Sequence, residues 1–269
     1  MSQKNILIAP LNWGLGHATR CIPIIKALEN QGYNPIVASD GVALEMLKKE
    51  FPHLQMLKLP SYEIEYAKNG NHFKWKMIKN TPKMIDAILK ERKMVKEWIK
   101  EYNISGIISD NRLGVYSKKV KSVFITHQLN VLTGNTTWIT SKLHQFIIKK
   151  YDECWVPDIA ETPNLTGKLG HLENPHFKIK YIGPLSRLHK KVLAKKYDLM
   201  VILSGPEPQR GMLEEKLAVD LLEYKGEVVF IKGKIEAQQV IEQKENITFY
   251  NFMTTQELEV AFNESELVL

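Results

Sequence analysis

Three side chains of this sequence can take a proton from a hydroxyl group at a ligand crevice: His17, Asp110 and His127. A neutral hydroxyl is a poor nucleophile, and a base within hydrogen-bond reach makes it a competent one. An imidazole suits that task because it titrates near neutrality. His17 is therefore the first candidate base, with Asp110 and His127 as alternatives. Each has a plainer role too: His17 can bond its own loop, and Asp110 can cap a turn. His17 stands in a glycine-bearing turn, Asn12-Trp-Gly-Leu-Gly-His-Ala-Thr-Arg20. Gly14 and Gly16 let the backbone turn sharply and approach a ligand. A second such turn, Ser204-Gly-Pro-Glu-Pro-Gln-Arg210, also precedes a helical stretch. The free N–H groups at that helix start can receive a diphosphate with no metal. An ordinary strand–helix turn is the plainer alternative. Two facing turns suit a reaction of two substrates, one on each domain.

The turns need strands before them and helices after them. Asn5–Ala9 reads as a strand, 17–30 as a helix with Pro23 near its first turns, and 34–39 as a second strand. A short helix over 42–50 and a strand over 54–59 follow. This β-α-β-α-β order predicts a parallel sheet with helices on both faces. Residues 61–72 read as a polar loop, and a helix runs from about Pro82 to Tyr102. Strands follow at 104–109, 122–126, 153–157 and 178–182, with a helix over 136–150. Asp110 and His127 come just after two of these strands, where the crevice of a parallel sheet opens.

The opening grammar repeats from Asp198: an apolar strand, the second glycine turn, then a helix from Met212 to Glu223. Strands at 228–231 and 247–250 follow, Thr254 can cap a helix through Ala261, and another strand begins near Glu266. The expected fold class is α/β, with two Rossmann-like domains over residues 1–188 and 189–269. The first has about seven strands and the second only four. A doubly wound domain normally has five or six, so the second reads as incomplete.

The net charge of +7 is uneven, since residues 68–101 hold ten Lys/Arg against four Asp/Glu. Such a face attracts nucleic acid, anionic lipid or a phosphorylated substrate; its plain alternative is a solvated helix face. Nucleic acid is not expected, because no aromatic-rich signature accompanies the charge. Peripheral membrane contact through residues 68–101 remains an expectation, with Trp75-Lys-Met-Ile78 as its approach. No apolar run reaches the roughly 20 residues that span a membrane. Two cysteines and the lack of a signal-peptide pattern point to a reducing cytoplasm. No His, Cys and carboxylate cluster marks a metal site, and no cofactor is expected. An NAD(P)-type oxidoreductase is an alternative, because Gly14-x-Gly16 follows a strand and Asp40 ends the next one. Thr19 stands where its third glycine belongs. A non-catalytic basic membrane- or nucleic-acid-binding module is the other alternative.

Four segments in order resemble the MurG-like glycosyltransferases of GT-B fold: Asn12–Arg20, Gly183-Pro-Leu-Ser-Arg187, Ser204–Arg210 and Phe249-Tyr-Asn-Phe-Met253. The resemblance implies inverting transfer of a hexose or N-acetylhexosamine from a nucleotide-diphosphate donor, with a UDP-sugar as the first candidate, to an acceptor hydroxyl. The first domain then holds a glycan or lipid-linked acceptor, with Asn12, Gly14 and Gly16 in its loop. The second holds the donor. By the same resemblance Arg187 contacts the diphosphate, Ser204, Gly205, Gln209 and Arg210 hold the phosphates, and Phe252 and Met253 border the base. The related enzymes continue beyond the position of Leu269 with a glycine loop and an acidic residue, which again implies an incomplete donor domain.

Overall fold

The computed structural model describes residues 3–62, 73–131, 137–205 and 207–269. Most of the polar loop expected over 61–72 lies outside them, as do Pro206 and the side chains of Trp75–Ile78.

β1 (Asn5–Pro10) is the central strand of the first domain. It pairs in parallel with β2 (Asn34–Ser39) on one side and β4 (Ile104–Asp110) on the other. With β3 (Gln55–Lys58), β5 (Lys121–Ile125), β6 (Glu153–Val156) and β7 (Ile179–Tyr181) it forms a seven-stranded sheet, order β3-β2-β1-β4-β5-β6-β7. All its pairings are parallel. Such a sheet is covered on both faces, which is why its strands read as continuous apolar runs. Ile8 packs with Ile22 and Ile25 of α1 (Gly16–Asn30) and Leu47 of α2 (Gly41–Glu50). Its neighbours Leu7 and Ala9 face the other way, onto Val95 and Trp98 of α3 (Phe73–Glu101). The alternation follows from the two-residue period of a strand.

The order reverses between β1 and β4, where Pro10 and Asp110 are register partners. Loops leaving opposite ways at such a point leave a crevice open. Two elements differ from the sequence expectation. Pro23 lies two turns inside α1 rather than in its first turns, so one helical bond is missing there. α3 begins at Phe73, with Pro82 inside it, because the apolar face of the helix outweighs the break that a proline signals.

The second domain repeats the plan on a smaller sheet, order β10-β11-β9-β8-β12. β8 (Tyr197–Ile202) lies between β9 (Val228–Ile231) and β12 (Ser265–Val268), both parallel to it. β11 (Ile247–Tyr250) pairs with β9 in parallel and with β10 (Ile241–Lys244) antiparallel. β10 has no sequence signature, since all four of its residues are exposed. α5 (Gln209–Asp220) and α6 (Thr255–Asn263) cover opposite faces, through Leu217 and Leu258 respectively. Thr254 caps α6 in a reciprocal capping box with Glu257.

Candidate active site in the interdomain cleft

The C-terminal ends of the two sheets face a shared cavity of about 350 Å³. Leu15, Gly16, Thr19 and Arg20 wall it from the first domain. Ser204, Phe252 and Met253 wall it from the second, and Arg187 lies on the segment between. The rest of the lining is mainly apolar, and both charged lining side chains among the described residues are arginines. The size and the few polar groups are those of a small-molecule site.

The three candidate bases converge behind the first wall. Asp110 ends β4 with its side chain fully buried. Arg20 forks onto it, Nε reaching Oδ2 at 2.5 Å and Nη2 reaching Oδ1. His17 Nδ1 lies 2.9 Å from the same Oδ1. Nη1 of Arg20 lies 3.0 Å from Nδ1 of His127. Burial drives the Asp110 carboxyl up, but Arg20 and His17 outweigh it and hold it below the ordinary carboxylate range. Burial pulls the Arg20 guanidinium down, and Asp110 more than reverses that. His127 is lowered, by burial first and then by Arg20 and His17. Arg20 is the residue that motif reasoning left without a role. Its signal was present: three positions after His17 on a helix, it shares that residue's face.

Asn12 of the glycine turn bonds outward to the next strand end. Its Nδ2 donates to Asp40 at 3.1 Å, and its Oδ1 accepts from Ala43 N at 3.3 Å. Asp40 is buried and ion-paired with Arg112. That carboxylate is committed inward, away from the role a nicotinamide cofactor's ribose asks of it. Gly14 has φ +71°, a conformation that other residues adopt at a cost.

In the second turn Ser204 faces the cavity and Gly205 has φ +107°. Gln209 is exposed at the start of α5. Arg210 is buried and turned inward, paired with Glu207 and Glu214 and donating to Lys232 O at 2.6 Å. Glu207 also accepts from Gly211 N at 3.1 Å, so Arg210 and Glu207 fix the turn from within. Arg187 donates to Thr255 Oγ1 at 3.1 Å and lies 3.6 Å from Glu50. Burial lowers its guanidinium, opposed by Glu50. Lys49, beside Glu50, donates to Ala237 O at 2.8 Å and lies 4.9 Å from the centre of the Phe252 ring. The cleft is thus held by contacts from both domains.

No family model matches the chain, and no curated protein matches it by sequence. Solved structures do match. The calicheamicin glycosyltransferase CalG4 is 12% identical with a TM-score of 0.55, over 100% of this chain and 80% of that one. A putative UDP-N-acetylglucosamine 2-epimerase from Listeria monocytogenes is 13% identical with a TM-score of 0.54, over 100% and 74%. UGT2 of Phytolacca americana, complexed with UDP-2fluoro-glucose and pterostilbene, is 12% identical with a TM-score of 0.51, over 99% and 71%. These likenesses show the fold: two Rossmann-like domains in the GT-B arrangement.

Proposed function

We propose that this chain is a glycosyltransferase that binds a UDP-sugar in the interdomain cleft and transfers the sugar to an acceptor hydroxyl with inversion. The observation that carries the reading is the cavity itself. It joins the two glycine turns, is mainly apolar, and takes its charged lining from Arg20 and Arg187. Apolar walls suit a base and sugar ring, and cations suit a diphosphate. Two of the three structural neighbours named above carry UDP or a UDP-sugar in their names.

In this mechanism Ser204, Gly205 and the N–H groups at the start of α5 face the diphosphate, with Gln209 beside them and Arg210 holding the turn. Phe252 and Met253 border the base. The acceptor, a glycan or lipid-linked hydroxyl, lies over Asn12, Gly14 and Gly16. Its oxygen forms a bond to the anomeric carbon as the bond from that carbon to the phosphate oxygen breaks. The hydroxyl proton passes to His17, and the nucleoside diphosphate leaves with its new charge opposite Arg187. Nothing in this scheme calls for a metal or cofactor. The exposed Ile85 and Leu89 of α3, with Lys90 and Lys93 beside them, give peripheral contact with an anionic membrane its support.

Thermal unfolding with UDP, GDP and their sugars tests the reading. A ligand at a hundred times its Kd stabilises by about 2.7 kcal/mol. Stabilisation by UDP and its sugars is expected, and none by any of the four overturns the donor site. The epimerase neighbour gives a second reading: conversion of UDP-N-acetylglucosamine to a second UDP-sugar, with no acceptor present, favours it.

A further inference from the structure

We propose that Lys49, on α2 of the first domain, is a positioning residue for the second-domain wall that borders the donor's base. Its ammonium group holds both the Phe252 ring and the loop between β9 and β10, so that affinity for the base is set from both domains. The use of this hold rests on the UDP-sugar reading, but the hold itself needs no ligand. Met46, Lys49 and Glu50 stand at i, i+3 and i+4 of α2 and so share one face of the helix. That face looks across the cleft: Met46 lines the cavity, and Glu50 accepts from Thr255 N at 2.6 Å. Between them Lys49 Nζ donates to Ala237 O at 2.8 Å and lies 4.9 Å from the centre of the Phe252 ring. A cation over a ring face is attracted by the ring's quadrupole.

The second domain fixes the backbone of this wall by itself. Phe252 N donates to Asn251 Oδ1 at 2.9 Å, and Gln239 Nε2 donates to Phe252 O at 2.9 Å. Asn251 Oδ1 also accepts from Val240 N at 2.8 Å, and its Nδ2 donates to Gln238 O at 2.9 Å. The β9–β10 loop is therefore hung on Asn251, next to Phe252. From there it reaches across the cleft. Ile235 lines the cavity and packs against the first-domain cluster of Ile8, Ile22 and Leu47. Ala237, two residues on, is where Lys49 ties the loop to α2. Lys49 thus adds what the second domain's own bonds do not supply: a contact to the ring face and a tether across the cleft. It acts through Phe252 and the loop.

Lys49→Met keeps the unbranched stem and removes the charge. Titration calorimetry with UDP and with inorganic diphosphate, which has no base, separates a role at the base from a general loss of structure. The Kd for UDP is expected to rise by roughly 2–30-fold, the range of one cation–π contact, while that for diphosphate holds. Lys49→Arg restores a cation and a donor and should recover the affinity. Lys48→Met, exposed in the same last turn of α2, is the control and should bind UDP as wild type does. Equal UDP affinity in a folded Lys49→Met chain overturns the proposal, and so does an equal loss for UDP and diphosphate. Hydrogen exchange of the ligand-free chains, read by mass spectrometry, tests the hold without nucleotide. Peptides spanning 234–240 and 251–253 should exchange faster in Lys49→Met, and exchange equal to wild type overturns the hold. Lys49→Gln, also uncharged, serves both measurements where the methionine variant does not fold. A wild-type chain that binds no UDP while the exchange still differs overturns the donor reading and not the hold, so the two fail separately.

Discussion

Glu50 of the first domain accepts hydrogen bonds from both the backbone N–H and the hydroxyl of Thr255 in the second, at 2.6 and 2.5 Å. Thr255 opens α6, two residues after Met253 of the cavity wall. The same Glu50 carboxylate faces Arg187. One side chain of α2 therefore ties together the second-domain wall of the cavity and the segment that crosses between the domains.

Glu50→Ala removes a partner from the first turn of α6 and leaves Arg187 without its carboxylate. A loss of about 1–3 kcal/mol in unfolding free energy is expected, with a larger radius of gyration in small-angle scattering as the domains part. Glu50→Gln keeps an acceptor for Thr255 and should retain most of both. Equal unfolding midpoints and radii for Glu50→Ala and wild type would dismiss the tie.

His17→Ala separates chemistry from binding. Transfer from a UDP-sugar should fall by roughly 10²–10⁴-fold, the usual contribution of a positioned base. UDP affinity, measured by titration calorimetry, should hold. A variant that transfers as fast as wild type removes His17 as base. Asp110→Asn has a different signature: it strands the Arg20 charge in a mostly buried site, at about 3–5 kcal/mol of stability.

Much of this architecture is legible in the sequence, because parallel strands buried on both faces leave short apolar runs bounded by turn residues. Ile6–Ala9, Ile36–Ala38 and Val228–Ile231 are of that kind. β10 was illegible for the converse reason: fully exposed, it needs no apolar side chain and is held by its ladder to β11. The candidate bases were legible as polar residues at strand ends. Their convergence was not, because 93 positions separate His17 from Asp110 and only the fold joins them. Arg210 shows the opposite limit. A basic residue in a glycine turn reads as a phosphate ligand, yet Glu207 of the same turn and Glu214 one turn along α5 claim it.

His144 sets an acid limit on stability. It packs edge-on to Phe124 with ring centres 5.8 Å apart, and its Nε2 has no hydrogen-bond partner among the described residues. Burial lowers its pKa to about 4, against a weaker opposing bond to the Gln128 backbone. The folded value lies below the unfolded one near 6.5, so the unfolded chain binds the extra proton between them. Stability contributed by the neutral ring is full above about pH 6.5 and is lost as pH falls towards 4. The shift is worth on the order of 3 kcal/mol. In His144→Phe that part of the slope between pH 6.5 and 4 should vanish from urea unfolding curves. An unchanged slope rules out the site.

Arg112 is the largest fully buried side chain among the described residues. Its side chain is fully buried and meets Asp40 and, at 2.9 Å, Glu91. It also donates to Pro60 O at 2.8 Å and Pro10 O at 3.3 Å. Tyr62 and Gly114 N complete Glu91, and Asn12 completes Asp40. Burial pushes Glu91 up, while Arg112 and the Tyr62 hydroxyl pull against it. Arg112→Leu leaves two carboxylates in one dry site, and breaking a buried pair this way costs about 3–5 kcal/mol. Glu91, which burial already pushes up, escapes that cost by taking a proton, so the penalty at pH 7 should shrink as pH falls towards 5. Because Asn12 hangs from Asp40, the damage should reach the glycine turn and weaken UDP stabilisation. Adding Glu91→Gln to Arg112→Leu removes one stranded charge and should recover part of the stability. A penalty that neither pH nor the second substitution reduces would mean that Arg112 acts through packing alone.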